Sequence, residues 1–475
     1  MTLLKRRKKT ISTVYIIYYS VQTQKRIIAS HIKIKTKMKV KNLLLAGLAV
    51  AAMTACSNND EVIDNGSQLT GEKASMQIKL KFSDITRGVT QGENDKGENV
   101  EFKATTITAL LVYGGTERVV YPDIKLQEVS GNTNIATTNP FSVAAGNNVE
   151  VYVFVNPVSN SLNDLTSKNL KTMTIGTQSL PSKSIDYLTS GIAQSDNFMM
   201  SNEGGKAGTV DIIAGSADNE VAVSVERICA KLDERSGLKS YPLKNQSAKG
   251  KAITIKMINH TYTNLNSDSY ILGGNESSWA GGFLQAYDAN ALPTTYTWKA
   301  CSAPEGEEAI SSAVTYCLEN TKNTDITEYT SVLYEGQVYF GDSKTAAPTF
   351  YVANKFEKVE GEDEDKAVAY IYEDWASLKV DFQNLDDKYE TDQAELAKFG
   401  VKMYKEGKCY YVTPIQHVGK GNTILRNNWY QLTVNTINDL GNTIPTVPPT
   451  DEPEAKLTLK VSIKPWAVQI NSIDL

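Results

Sequence analysis

MQIKLKF, residues 76–82, decides how the rest of the chain is read. In an extended backbone Met76, Ile78, Leu80 and Phe82 share one face, and Gln77, Lys79 and Lys81 share the other. That period of two marks a strand with one buried side. The pattern recurs outward from it. TTITALLVYGG, NVEVYVFVNP, GTVDIIAG and EVAVSVERICAKL follow, each β-branched or aromatic and bounded by Gly, Asn or Pro. KAITIKMINHTYT opens a second series, continued by SVLYEGQVYF, PTFYVANKF, KAVAYIYEDW and NNWYQLTVNTI. VKMYKEGKCYYVTPI (401–415) reads as a hairpin turning near Glu406-Gly407. Helical patterns are few: SKSIDYLTSGIAQS (182–195) and DDKYETDQAELAKFG (386–400), the latter stopping at Gly400 as a helix should. The expected class is all-β, built as sandwiches with few short helices.

The last stretch, LTLKVSIKPWAVQINSIDL (457–475), repeats the opening motif. Leu457, Leu459, Val461 and Ile463 alternate with polar residues, and Pro465, Trp466, Val468 and Ile470 continue the run. Ahead of it lies GNTIPTVPPTDEPEAK (441–456), whose prolines make a stiff, extended tether.

A chain of 475 residues is long enough for two globular domains. The polar, turn-rich stretch 233–251 places their boundary, giving an amino-terminal domain over 88–238 and a carboxy-terminal one over 239–440. Of the 49 Lys/Arg, 12 lie in residues 1–55, where there is no Asp or Glu. The remaining 37 face 54 acidic groups, a net of about −17, so the body of the protein repels nucleic acid and anionic membrane surfaces.

The leader is the clearest targeting signal. From Met38, MKVKNLLLAGLAVAAMTAC has a short cationic segment, an apolar stretch and small residues before a cysteine. Residues 38–55 therefore read as a signal peptide. Met53-Thr54-Ala55-Cys56 resembles a bacterial lipobox, which makes Cys56 the acylated first residue of the mature chain and the polar run after it a stalk. Residues 1–37 precede a complete signal and read as an overcalled start or extra leader.

Motifs that carry catalysis are missing. There is no HExxH, GxSxG, P-loop or CxxC. Ser236 and Lys239 form an S-x-x-K without its companion motifs. His260 and His417 each lack a second His at metal-ligand spacing, and EGEDED (360–365) lacks the spaced ligands and turn glycine of a calcium loop. No enzyme, cofactor or metal is expected. Cys229, Cys301, Cys317 and Cys409 are too sparse for a disulfide scaffold and read as buried thiols, with Cys301–Cys317 the first pair to test.

Two matched strands at opposite ends of one chain have a further use. After MQIKLKF comes SDITRGVTQGENDKGEN, a polar segment offering the Arg87-Gly88 bond to a protease. Cleavage there frees residues 56–87 and lets the amino-terminal domain lose Met76, Ile78, Leu80 and Phe82. A neighbour's tail with the same alternation can refill the groove by strand addition. Donor and acceptor sit at opposite ends, so the contact is head-to-tail and builds a filament. Arg235, in DERSG, is the competing loop arginine, but a cut there separates domains rather than freeing a strand.

The chain resembles the fimbrillins, lipoprotein-derived subunits of type V pili, and most of all the stalk subunit of the short (minor) fimbriae of Bacteroidales. The resemblance rests on the lipobox at Cys56, the strand with Arg87 after it, FMMS (198–201), VERICAKL (225–232), YCLENT (316–321), LRNNWYQLTV (425–434) and KVSIKPW (460–466). It implies two tandem transthyretin-like sandwiches and export as an outer-membrane lipoprotein, palmitate on Cys56 being its only membrane contact. It also implies cleavage by an Arg-specific protease and polymerisation by donor-strand exchange into an extracellular fimbrium. The implied partners are copies of itself, anchor and tip subunits, and host or bacterial surface receptors, in support of adhesion and biofilm formation. The alternatives are a pilus anchor or tip subunit, or a monomeric surface lipoprotein that binds glycans through exposed aromatics.

Overall fold

Alternation of β-branched and aromatic residues dictates the architecture, and the strands fall where that alternation is strongest. The computed structural model describes residues from Glu72 to Ala467, apart from 83–94, 97–100, 102–103, 128–134, 177–191, 274–282, 285–297, 302–313, 322–324, 359–364, 446–455 and a few shorter stretches. The protein is all-β, in several sheets, with two α-helices among the described residues.

The first sheet is assembled from β1 (Lys73–Phe82), β2 (Ile107–Tyr113), β3 (Glu117–Tyr121), β4 (Ile135–Thr137), β5 (Phe141–Ala144), β6 (Gly146–Val155), β7 (Met200–Asn202), β8 (Gly208–Ile212) and β9 (Glu220–Arg227). Its order is β3-β2-β6-β7-β9-β1-β4, with β8 also on β6 and β5 also on β1. Most pairs are antiparallel, whereas β1 and β9 run parallel, with Gln77 opposite Glu220 and Phe82 opposite Val225. Strand β2 is buried along its whole length, as expected of a continuous apolar run between neighbours.

The chain changes sheets at Ile228, which is buried. β10 (Cys229–Glu234) follows at once and belongs to a second sheet. It lies between β12 (Thr315–Leu318) and β18 (Asn428–Ile437), and β18 in turn carries β19 (Leu457–Ala467). A third sheet joins β11 (Ile253–Thr263), β13 (Ser331–Phe340) and β17 (Lys408–Pro414). Trp429, Tyr430 and Leu432 of the second sheet share one continuous apolar core with Ile255, Met257 and Val338 of the third, and with Ile78, Leu80 and Phe82 of the first. The turn-rich stretch 233–251 is more deeply built in than its composition implies: Asp233, Glu234 and Ser236 are buried, and the Ser236 hydroxyl accepts the Val434 N–H at 2.8 Å.

A smaller lobe has its own core. β14 (Phe350–Lys358) pairs with β15 (Asp365–Tyr372) and with β16 (Val401–Tyr404). Against them lie α1 (Trp375–Asp381) and α2 (Gln393–Lys398), which bury Leu378 and Leu396. α1 starts at Asp374, whose side chain accepts the Ser377 N–H while Ser377 reaches back, a reciprocal cap. The helix expected over 386–400 is shorter than its pattern. Asp392 accepts from the N–H groups of Ala394 and Glu395 and so begins α2 late, and a 3-10 turn occupies Asp387–Tyr389. The helix expected over 182–195 lies mostly outside the described residues, and Ala193–Gln194 within it is extended.

One expectation is corrected. Residues 401–415 do not form a hairpin, because β16 pairs with β14 while β17 pairs with β13. The turn at Glu406-Gly407 carries the chain between two sheets instead. Both residues have positive φ, and a Cβ on Gly407 would sit 2.3 Å from the Ala347 carbonyl oxygen. Gly407→Ala should therefore cost about 1–3 kcal/mol, read as a fall of several degrees in melting temperature, whereas Gly341→Ala, with a similar φ and open space around it, should cost less.

Candidate assembly site

Strand β1 is held from three directions. Ala74, Met76, Ile78, Leu80 and Phe82 are buried, and the residues between them are half-buried or exposed. One edge pairs with β9 over Gln77–Phe82. The other pairs antiparallel with β5 over Lys73–Met76 and with β4 over Lys79–Lys81. Side chains fill the gap between those two partners. Thr138 Oγ1 accepts the Ile78 N–H at 2.9 Å, and the Thr138 N–H returns a bond to the Ile78 carbonyl at 2.9 Å. Asn219 closes the entry, its Nδ2 donating to Ser75 O while its own carbonyl accepts from the Gln77 N–H. The four large apolar side chains contribute roughly 6–12 kcal/mol by burial alone, at about 1.5–3 kcal/mol each. Without β1 the valines of β9 and the backbone of two sheet edges would lose their partners.

The tail sits differently. β19 pairs antiparallel with β18, from Leu457 opposite Ile437 to Pro465 opposite Asn428, with an irregularity between Val434 and Thr436. On its outer edge, the only ladder among the described residues is the two-residue parallel pairing of Asp95–Lys96 with Trp466–Ala467. Leu457, Leu459 and Val461 pack on the core but are only half-buried. Among the described residues β19 is thus paired along its length on one side and only at Trp466–Ala467 on the other, whereas β1 is paired on both sides. The backbone of Ile463, Pro465 and Trp466 falls within β19, and Val468 and Ile470 lie outside the described residues, as do Cys56, Arg87 and Gly88. Arg235, the alternative cleavage point, donates its N–H to Leu432 O at 2.7 Å, which ties that backbone to β18.

Between the two ends the chain carries buried charge that sequence reading did not anticipate. Glu101 Oε1 accepts from Lys231 Nζ at 2.7 Å and from the Tyr316 hydroxyl at 2.6 Å, all at the β9–β10 crossing. Arg227 donates through Nε and Nη2 to the Glu101 carbonyl and through Nη1 to Asn427 Oδ1. Lys231 also lies 4.4 Å over the Trp429 ring, whose Nε1 donates to Asp233 Oδ2 at 3.1 Å. Arg426 pairs with Glu319 and donates to Tyr270 O. VERICAKL, YCLENT and LRNNWYQLTV are therefore the strands and ion partners of one junction. Burial pushes the Glu101 carboxyl up, but Lys231 and Arg227 beside it outweigh that and hold it below the usual range. Burial pulls Arg227 down to about 10 and lowers Lys231 as well.

The motifs weighed for chemistry fall apart in space. Ser236 is buried and Lys239 exposed, so S-x-x-K forms no reactive pair. His417 is buried beside Tyr430, its Nδ1 2.9 Å from Val418 O. EGEDED lies outside the described residues except Asp365, where β15 begins. All four described cysteines are free and buried, and Cys301 lies against His260. No helix among the described residues is long and apolar enough to cross a membrane.

Residues 402–472, from β16 through the tail, match the family model "Major fimbrial subunit protein type IV, Fimbrillin, C-terminal". Among solved structures the chain is similar to a candidate cell adhesion protein from Parabacteroides distasonis, at 14% identity and a TM-score of 0.45, covering 84% of this chain and 100% of that one. A candidate cell adhesion protein from Bacteroides eggerthii gives 13% identity and 0.44, covering 85% and 99%. The tip fimbrial protein Mfa3 from Porphyromonas gingivalis gives 13% and 0.35, covering 83% and 100%. No curated protein matches the chain significantly.

Removing one member of the buried pair should expose its cost. Lys231→Met leaves Glu101 charged without its main partner and should lower stability by about 3–5 kcal/mol. Because the Glu101 carboxyl is depressed in the folded state, the stability it contributes is present above the ordinary carboxylate range and lost as pH falls through its native value. Melting curves across pH 2–7 should show a steeper acid loss for the parent than for Glu101→Gln.

Proposed function

We propose, for a chain whose residues 402–472 match a fimbrillin carboxy-terminal family model, that it is a structural stalk subunit of a surface fimbrium. It is exported as a lipoprotein through Cys56, cut at Arg87-Gly88 and polymerised head-to-tail by exchange of β1 for a neighbour's tail. The observation that carries this reading is the inequality of the two matched strands. β1 has ten residues, a fully buried face and partners on both edges, whereas β19 has eleven residues, half-buried Leu457, Leu459 and Val461, and an outer edge paired among the described residues only at Trp466–Ala467.

That inequality sets the direction of exchange. A tail leaving β18 gives up one ladder, at a net of about 0.5–1.5 kcal/mol per hydrogen bond. In a vacated β1 groove it regains two ladders and buries completely the side chains that were half-exposed. Strand addition of this kind draws affinity from the main chain and specificity from alternate side chains. Cleavage is the needed trigger, since a covalently held β1 competes at a local concentration no second molecule matches. The role is structural and non-enzymatic, and the site of action is the cell exterior.

Val461→Lys separates this reading from its rival. On the edge strand the lysine stem can lie along the surface with its ammonium in water, so the monomer should lose little stability. Inside a closed groove the same charge has no escape and should block assembly. After Arg-specific proteolysis the parent should give ladders that survive SDS, and Val461→Lys should give none while melting within a few degrees of the parent. A cleaved parent that stays monodisperse, or a variant that still forms ladders, would rule the exchange out.

A further inference from the structure

We propose that Glu234, His260 and Cys301 form a buried zinc-binding site in the middle of the chain. The three side chains come from separate stretches. Glu234 ends β10, His260 sits inside β11, and Cys301 follows Lys299–Ala300, a short strand paired with Asn259 and His260. One potential ligand atom from each lies within 4.8 Å of the others. The Cys301 sulfur is 3.7 Å from His260 Nδ1. A tetrahedral zinc with bonds of about 2.0–2.3 Å would hold a sulfur and a nitrogen about 3.5 Å apart, so that pair is almost at bonding separation already.

Two further features point to a cation. Glu234 Oε1 is engaged by the Ser236 N–H at 2.8 Å and the Tyr334 hydroxyl at 3.2 Å, but Oε2 is buried without a hydrogen-bond partner. A further candidate donor to this carboxylate is the Cys301 thiol, a weak one, and a metal held between the two would replace that contact with a stronger one. Charge also balances: one carboxylate, one thiolate, a neutral imidazole and a dication sum to zero, so the low-dielectric core would hold no net charge. Thiolate, imidazole and carboxylate together suit zinc better than the oxygen-seeking magnesium or calcium.

The competing reading of a cysteine, histidine and glutamate in contact is a nucleophile with its base. Burial excludes it. Glu234 and His260 are fully buried and Cys301 is 2% exposed, so no substrate reaches the sulfur. Three protein ligands leave the fourth tetrahedral position to a water enclosed with the metal, and burial means that the zinc would be bound as the chain folds and exchanged slowly.

The test uses the full chain, stripped by denaturation in chelator and refolded with Zn²⁺ or Co²⁺. About one zinc per chain should survive dialysis, and the cobalt form should show a thiolate-to-metal charge-transfer band in the near ultraviolet. Cys301→Ser should abolish that band, and His260→Gln should weaken zinc binding at least about tenfold. Cys409→Ser, buried but outside the cluster, should keep both. If the variants fail to fold, a parent band that is kept in Cys56→Ser, Cys229→Ser, Cys317→Ser and Cys409→Ser still assigns the sulfur to Cys301. A parent with no band and a melting temperature indifferent to zinc would overturn the site, as would a band that persists in Cys301→Ser.

Discussion

The parallel pairing of β1 with β9 is the contact on which the amino-terminal sheet depends. β1 is the earliest strand in the described chain, yet it lies inside the sheet, with β9 on one side and β4 and β5 on the other. A first strand placed at an edge could be lost at little cost. Placed in the middle, it divides the sheet when it goes, and every neighbouring backbone group needs a new partner. The bonds from Thr138 and Asn219 show how completely the position is finished. The groove left by β1 is therefore a template for an extended segment with apolar side chains on alternate positions, and for little else.

The junction at Ile228 makes the two ends of the molecule one mechanical object. β9 and β10 are almost consecutive in sequence but belong to different sheets, so the crossing itself must be fixed. An apolar contact alone would allow the sheets to slide. Glu101, Arg227, Lys231, Tyr316 and Asn427 supply directional bonds there, with charges that have no alternative solvation. Buried ion pairs add little net stability but penalise every arrangement in which they are unpaired.

Much of this was legible in the chain and some was not, for physical reasons. β1 and the first parts of β9 and β11 could be placed from alternation because one face lies against the core, and β6 from its β-branched and aromatic run, which is buried on both faces at its end. The hairpin at 401–415 was misread because a glycine turn between two strands signals a reversal but not which sheet receives the next strand. The short α1 was missed because seven residues hold fewer than two full helical periods. The burial of Arg426 and Lys231 is not legible in the sequence, since nothing local announces that Glu319 or Glu101 will meet them. The Glu234–His260–Cys301 cluster escaped for the same reason. Ligand motifs are recognised by short spacing, and these three residues are brought together only by the sheets. The tail's likeness to β1 was visible; its docking on β18 was not, because alternation fixes a face and leaves the partner open.

In the proposed filament, the count of strands has a consequence for its ends. Each cut subunit gives up one interior strand and contributes one tail, so a row of cut subunits joined head-to-tail always leaves one groove empty and one tail undocked. The undocked tail is no difficulty, since β18 already accommodates it within its own chain. The empty groove is, because it exposes an apolar trough and two unpaired sheet edges. A subunit that keeps its own β1 has no such groove, and its tail can still be given to the next molecule. The end of the filament where a groove would stand open is therefore closed most simply by an uncut copy of the same fold, still joined to whatever its amino terminus carries. On that proposal, processing would do more than start assembly: the balance of cut and uncut subunits would set how many filaments begin and how far each can extend.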